Sequence, residues 1–281
     1  MPSNFVLVFN ALQYVPLELA YPTPMVERVL TDAKPTAVCT TLEHIRKLPA
    51  AAGEMAIVCE DDSAHDHSDN EQEWSALWKL YQNGWAEEGG PAGEPVQLDD
   101  LAFVVYSSGT TDQPKGITNP HRAPAVSYAW RFRTLSDYGP GDVVACNVFF
   151  VWEALRALMR GGTVLPVPGD DIYDGERLTN QIARFNVTEI LFTPSLLENM
   201  LFTVDEADVR KRMKTIKTIY LNGEVVTLAL RQKVIDTLPA AQLNNLYSIS
   251  ECHEVAALDL TAKDLDLSYS DKFQLSYLHF R

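Results

Sequence analysis

The chain has 281 residues, 46% of them hydrophobic and 22% charged, with 14 glycines and 16 prolines, an ordinary globular composition long enough for one large core or about two domains. Against 38 Asp plus Glu stand 23 Lys plus Arg, a formal net charge of −15 that argues against a nucleic-acid binder and leaves any polyanionic ligand to a few local cations and backbone donors. The early apolar run from Phe5 to Phe9 is far shorter than the roughly 18 to 20 residues of a membrane span, and no basic residue precedes Arg28, so neither a membrane segment nor a signal peptide is expected.

From Ala20 onward, short β-branched runs alternate with amphipathic stretches. Thr23-Pro24 predicts a helix start, with threonine as cap and proline at the first helical position. Met25, Val26, Val29 and Leu30 then share one helical face. Thr36 to Thr40 and Met55 to Cys59 read as short strands, and the almost wholly apolar Leu101 to Tyr106 as a strand buried on both faces. Further strands are predicted at Val143 to Cys146, Thr163 to Val167, Glu189 to Phe192, Ile216 to Leu221 and Gln242 to Tyr247. Helices fall between them, around Glu153 to Met159, Arg177 to Phe185, Ser195 to Leu201 and Leu228 to Leu238. This alternation predicts an α/β fold of largely parallel sheets covered by helices. It extends over residues 1–260, and residues 261–281 read as a divergent tail.

Two segments stand apart. Glu60 to Glu73 contains seven acids, no base and two histidines, and Gly84 to Pro95 is rich in Gly, Pro and Glu. His65 and His67 with the aspartates beside them have metal-binding chemistry, but loops of this composition are far more often simply solvated. Cys39, Cys59, Cys146 and Cys252 form no CxxC pair and read as reduced thiols of a cytoplasmic protein, not as a disulfide frame or zinc site.

The predicted strand at Leu101 to Tyr106 runs directly into Ser107-Ser108-Gly109-Thr110-Thr111-Asp112-Gln113-Pro114-Lys115-Gly116. Four hydroxyls, two glycines and one lysine in ten residues supply many donors on a flexible backbone, which is what a loop needs to wrap a polyphosphate. A Walker A loop needs Gly-Lys-Ser/Thr, and here Lys115 precedes Gly116. Taken alone, a Ser/Thr-rich surface turn is the competing reading.

The stretch from Tyr106 to Ile117 closely resembles the phosphate-loop signature of the adenylate-forming (AMP-binding) superfamily: acyl-CoA synthetases, luciferases and the adenylation domains of nonribosomal peptide synthetases. Other blocks follow in that family's order. Ala11 to Pro22 looks like the peptide-synthetase stretch G-A-Y-V-P-L-D-P-x-Y-P, Val151-Trp152-Glu153 resembles V-W-E, and Thr193-Pro194-Ser195 resembles T-P-S. Asn222-Gly223-Glu224 resembles G-G-E, and Asn245 to Glu251 resembles N-x-Y-G-P-T-E.

The resemblance implies ATP as a ligand and Mg²⁺ as its metal. Ser107, Ser108, Gly109, Thr110, Thr111 and Lys115 would surround the β- and γ-phosphates. Gly223 and the adjoining Asn222 would lie against the adenine, with Tyr247 stacked on it and Asn245 nearby. Ser250 would offer its hydroxyl to the α-phosphate, and Glu251 would ligate Mg²⁺, a hard cation that wants oxygen ligands. The implied partners are a small carboxylic acid and, in a longer parent, a carrier-protein domain. The implied reaction is attack of that acid on the α-phosphate, leaving an acyl-adenylate. Aligned on Val151-Trp152-Glu153, the acyl pocket takes Val148, Phe149, Trp152, Ser195, Tyr220, Asn222, Leu246, Glu254 and Val255. Val148 stands where amino-acid-activating domains carry the aspartate that pairs with the α-amine. A simple α-amino acid is therefore not the expected substrate, since valine cannot compensate a buried ammonium. Glu254 is either a receptor for a distal amine, as in a β- or ω-amino acid or an arylalkyl amine, or turned to solvent.

The chain departs from the family pattern at three points. Asp112 replaces the usual glycine of the phosphate loop, and Ser248-Ile249 replaces Gly-Pro. After Leu258 the Y-x-T-G-D motif, the hinge and the lid with its catalytic lysine are not found. The expectation is a partial large subdomain with incomplete acid-activating chemistry. The alternative is a non-catalytic nucleotide-binding or interaction protein on the same scaffold.

Overall fold

The short apolar runs pair into two six-stranded sheets, one in each of the two units into which the chain divides, Met1–Arg122 and Ala123–Arg281. The computed structural model describes residues 5–10, 13–18, 21–41, 48–49, 56–60, 96–107, 115–135, 138–146, 152–167, 169–251, 253–262 and 272–273. The acidic segment with His65 and His67 lies outside them.

In the first unit, β1 (Phe5–Asn10) and β2 (Gln13–Glu18) pair antiparallel from Phe5↔Glu18 to Asn10↔Gln13. β3 (Ala37–Thr41) flanks β1 antiparallel and is followed by a parallel β4 (Ala56–Glu60). On the other side, β5 (Leu101–Ser107) lies parallel to β2 and β6 (Lys115–Pro120) antiparallel to β5. This sheet is therefore mixed. α1 (Thr23–Ala33) buries Val26, Val29 and Leu30 against Val15, Leu17, Val38 and Tyr106. Thr23 is the first helical residue and not the cap. Pro22 holds the cap position at φ −54, ψ 139, and makes no side-chain cap bond because its hydrocarbon ring carries no acceptor. The Tyr106 hydroxyl donates to Asp32 Oδ2 at 2.7 Å and so ties β5 to α1. Directly across the ladder stands Gly116, where a Cβ would come within 3.0 Å of the Tyr106 ring. The glycine of the Lys115-Gly116 motif thus leaves room for the aromatic ring beside it.

The second unit runs α2 (Arg122–Thr134, starting at the boundary), β7 (Val143–Cys146), α3 (Trp152–Leu158), β8 (Thr163–Pro166), α4 (Gly169–Ile172) and α5 (Gly175–Phe185). It continues with β9 (Glu189–Phe192), α6 (Pro194–Thr203), α7 (Glu206–Arg212), β10 (Thr218–Leu221), β11 (Val226–Thr227) and α8 (Leu228–Thr237). β12 (Gln242–Ile249), β13 (His253–Asp259) and β14 (Lys272–Phe273) complete it. The sheet order is β13-β12-β10-β9-β7-β8, with every pair parallel except β12 and β13. β14 pairs with β11, so residues 272–273 of the expected tail return to this unit. Helix starts are capped as their sequence allows. Asp174, Thr193 and Thr227 accept from Arg177 N, Leu196 N and Leu230 N.

The parallel strands of the second unit are buried on both faces. Ile190, Phe192, Ile219, Leu221 and Leu243 pack with Leu178, Ile182, Leu197, Met200, Leu230 and Val234. Leu191, Tyr220 and Leu246 face the other way, with Leu135 and Ala257 against them. Among the described residues no helix is long and apolar enough to cross a membrane.

Candidate functional site

In the first unit, β5 and β6 hold the two ends of the phosphate-loop signature, with Ser107 paired opposite Lys115 in the ladder. The Lys115 side chain is exposed. Ser108, Gly109, Thr110, Thr111 and Asp112 lie outside the described residues, as does the side chain of Ser107.

In the second unit, the candidate residues gather at the carboxyl ends of β10 and β12. Leu221 pairs with Asn245 in the parallel ladder, and Asn222 and Gly223 follow directly beyond the end of β10. The Asn222 amide extends the ladder by side chain, donating to Leu246 O at 3.2 Å and to Ser248 Oγ at 3.0 Å. Gly223 then adopts φ +89, a conformation that suits glycine, with nothing within 4 Å of where a Cβ would stand. Tyr247 is 46% exposed, unusual for an aromatic residue on a strand, whereas Asn245 is buried. The open Gly223 backbone and the exposed Tyr247 ring are both surfaces against which a flat ring can lie.

β12 continues through Ser248 and Ile249, where extended backbone requires neither the glycine nor the proline of the family pattern. Ile249 pairs with His253, so Ser250 and Glu251 belong to the connection at the tip of a hairpin, and both are exposed. His253 closes the hairpin at φ +65, a left-handed conformation that histidine tolerates better than most residues. The ladder register slips after Tyr247↔Ala256 to Ser248↔Glu254, leaving Val255 as the extra residue of a bulge. An exposed carboxylate and hydroxyl on such a tip suit a phosphate-bound divalent cation, and Glu251 is the residue that would ligate Mg²⁺.

The acyl-pocket residues divide three ways. Val148 and Phe149 lie outside the described residues, as does the Trp152 side chain. Ser195, at the start of α6, is exposed. Its backbone N–H and hydroxyl donate to Glu224 Oε2 at 2.9 Å and Oε1 at 2.8 Å. One acid of the Asn222-Gly223-Glu224 block thus holds the Thr193-Pro194-Ser195 block. Tyr220 and Leu246 are buried side by side beneath α2.

The Glu254 side chain is buried and not turned to solvent. Its Oε1 accepts from Arg131 Nη1 at 2.8 Å, and both side chains are almost fully buried. Arg131 also pairs with Glu153 and lies 4.2 Å above the Tyr220 ring. Glu153 in turn accepts from Arg156 at 3.0 Å, and Arg156 reaches Glu189. Burial pushes the Glu153 carboxyl up, but Arg131 and Arg156 outweigh it and hold it at about 2. For Arg131, burial works downward and is outweighed by Glu153 and Glu254. Neither Arg131 nor the positioning role of Glu224 is evident in the sequence, although both serve motif residues that are. At the opposite, amino-terminal edge of the sheet, Phe132, Tyr138, Asp142, Glu189, Lys217 and Gln242 help to line a cavity of about 670 Å³.

Comparisons with known proteins identify the family. The family model for the AMP-binding enzyme matches residues 9–271. The glycine betaine reductase ATRR of Emericella nidulans is 43% identical over 247 residues, covering 88% of this chain and 18% of that protein. The L-proline--[L-prolyl-carrier protein] ligase of Streptomyces coelicolor is 29% identical over 254 residues, covering 85% of this chain and 45% of the ligase. The solved structure of VinN superposes with a TM-score of 0.66 at 18% identity, over 88% of this chain and 58% of that one. ATP-bound MatB from Rhodopseudomonas palustris gives 0.67 at 17% identity, over 88% and 47%. The chain thus spans less than two thirds of each of these relatives, and it belongs to the AMP-binding enzyme family.

Proposed function

We propose that this chain carries nucleotide- and acid-binding elements of an enzyme that activates a carboxylic acid as its acyl-adenylate. The acid's carboxylate oxygen attacks the α-phosphorus of ATP, the bond from that phosphorus to the oxygen bridging the β-phosphate breaks, and pyrophosphate leaves with the electron pair. Such chemistry needs alignment and charge neutralisation more than a protein nucleophile. The observation that carries the reading is the carboxyl edge of the second unit. There Gly223 leaves open space just beyond β10, Tyr247 is exposed near the end of β12, and Ser250 and Glu251 stand on the hairpin tip. Tyr247 and Gly223 would hold the adenine and Ser250 would meet the α-phosphate. In the first unit, Lys115 and the hydroxyls of the signature loop would serve the β- and γ-phosphates. Mg²⁺ bound by Glu251 would neutralise phosphate charge.

For the acid, we propose a betaine type, whose quaternary ammonium has no N–H to satisfy. Such a head needs no hydrogen-bonding aspartate and is held well by aromatic faces. That agrees with Val148 at the aspartate position and with a 43%-identical relative named for glycine betaine. The Glu254 carboxylate is already bonded to Arg131, which disfavours a β- or ω-amine as its direct partner.

The test is calorimetry of Mg·ATP on the wild type, Lys115→Ala and Glu251→Ala, together with a panel of acids. Each variant is expected to bind ATP at least tenfold more weakly, and glycine betaine to bind more tightly than glycine or other α-amino acids. ATP affinity unchanged in both variants would remove the nucleotide site, and preference for ordinary α-amino acids would remove the betaine reading.

A further inference from the structure

The two ends of the phosphate-loop signature stand on neighbouring strands, and one buried side chain touches both. Tyr106 precedes Ser107 on β5, pairs with Gly116 on β6 and is 8% exposed. A Cβ at Gly116 would come within 3.0 Å of the Tyr106 ring and 3.1 Å of its hydroxyl oxygen, so the outer end of the ring rests on the backbone next to Lys115. The hydroxyl donates to Asp32 Oδ2 at 2.7 Å, a bond that reaches across 74 positions of sequence to α1. Burial first, and Asp32 second, push the Tyr106 pKa up, so the hydroxyl stays protonated and keeps donating. Asp32 is an exposed acid in the last turn of α1, where the helix dipole favours bases and disfavours carboxylates. That position costs the helix some stability, which the bond to Tyr106 offsets. Val26, Val29 and Leu30 already seat α1 on the sheet, so the bond adds direction more than burial. It fixes where the Tyr106 ring stands, and with it Gly116 and the adjoining Lys115.

We infer that Asp32 is a positioning residue, which acts through Tyr106 on Lys115. This rests on the nucleotide-binding reading above, in which Lys115 serves the β- and γ-phosphates. Asp32 itself need touch no ligand. A lysine holds a phosphate best where its backbone is already fixed, since freedom left in the strand is lost on binding. Cutting the bond between Asp32 and Tyr106 therefore weakens the grip on the terminal phosphates and leaves the adenosine end as it was. Charge alone predicts the reverse, because removing a carboxylate from a chain that binds an anion favours the anion.

The probes are ATP and AMP, each with Mg²⁺, titrated calorimetrically into the 281-residue chain. AMP lacks the two phosphates that Lys115 would meet. The wild type is expected to bind ATP at least tenfold more tightly than AMP. Asp32→Ala and Tyr106→Phe, each of which removes one end of the bond, should both reduce that ratio to about threefold or less, with AMP affinity changed by less than about twofold. Combining the two should lower the ratio no further, because they remove one and the same contact. Asp32→Asn, which keeps an acceptor oxygen, should hold the ratio near the wild-type value. Thr31→Ala, a change at the neighbouring residue of α1, should leave it unaltered. Should Tyr106→Phe fail to fold, the contrast between Asp32→Ala and Asp32→Asn decides alone. A ratio untouched by Asp32→Ala, equal losses for ATP and AMP, or an Asp32→Asn variant as weak as Asp32→Ala overturns the inference and leaves the nucleotide site standing. A wild type that binds ATP no better than AMP, or binds neither, overturns both readings.

Discussion

Tyr247 is the residue on which the proposed nucleotide site can be tested most simply. Its ring is 46% exposed near the carboxyl end of β12, and under the proposed function adenine would stack on it. Stacking of a base on an aromatic ring contributes about 1–3 kcal/mol. Tyr247→Ala is therefore expected to weaken ATP binding by about ten- to a hundredfold, while Tyr247→Phe stays within about threefold. Similar losses from both would assign the effect to the hydroxyl. This residue and its neighbours Asn245, Ser250 and Glu251 were legible because a short motif carries them with fixed spacing. Arg131 and Glu224 were not, because each acts on a motif residue far away in sequence. Arg131 meets Glu254 across 123 positions and Glu224 meets Ser195 across 29. No local pattern encodes such a pairing.

At the scale of elements, the strands and helices with continuous apolar runs or clear periodicity were readable to within a residue or two. β7, β9 and the start of β12 fall where the sequence puts them. α2 escaped because its inward face carries Ser127, Tyr128 and Arg131, so hydrophobicity does not reveal its period. The β1–β2 pair escaped because Ala11-Leu12 lacks the glycine or asparagine that marks a hairpin. The polar face of α2 has an energetic purpose: it brings a guanidinium to the glutamate of the V-W-E motif. Removing one member of a buried ion pair typically costs about 3–5 kcal/mol, since its partners stay buried and unpaired. Glu153→Gln should therefore unfold at markedly lower denaturant concentration at pH 7. The wild-type carboxyl is held at about 2, below its ordinary 4.5. Its contribution is thus complete above about pH 4.5 and is lost as pH falls toward 2. Urea titrations over a pH series should show the gap between wild type and Glu153→Gln widest above pH 5 and shrinking as the solution is acidified. A gap independent of pH would mean that Glu153 is not the charged centre of the network.

At the scale of the whole molecule, a net charge of −15 gives a tetra-anionic nucleotide no general attraction, so under the proposed function its recognition would rest on local donors, Lys115 and a metal ion. Topology supplies the place for them. Parallel strands collect ligands at their carboxyl ends, and in the second unit Asn222, Gly223, Tyr247, Ser250 and Glu251 all lie at or just beyond those ends. The central claim is that one chain binds both an adenylate and an acid. The most direct measurement is the affinity of a stable acyl-adenylate analogue, in which a sulfamate replaces the phosphate and carries a trimethylammonioacetyl group. Joining two ligands that occupy adjoining positions raises affinity by about 10² or more over either half. The wild-type chain is therefore expected to bind this analogue at least a hundredfold more tightly than adenosine or glycine betaine. Tyr247→Ala should lose at least tenfold of that gain. An analogue that binds no better than adenosine alone would contradict the account.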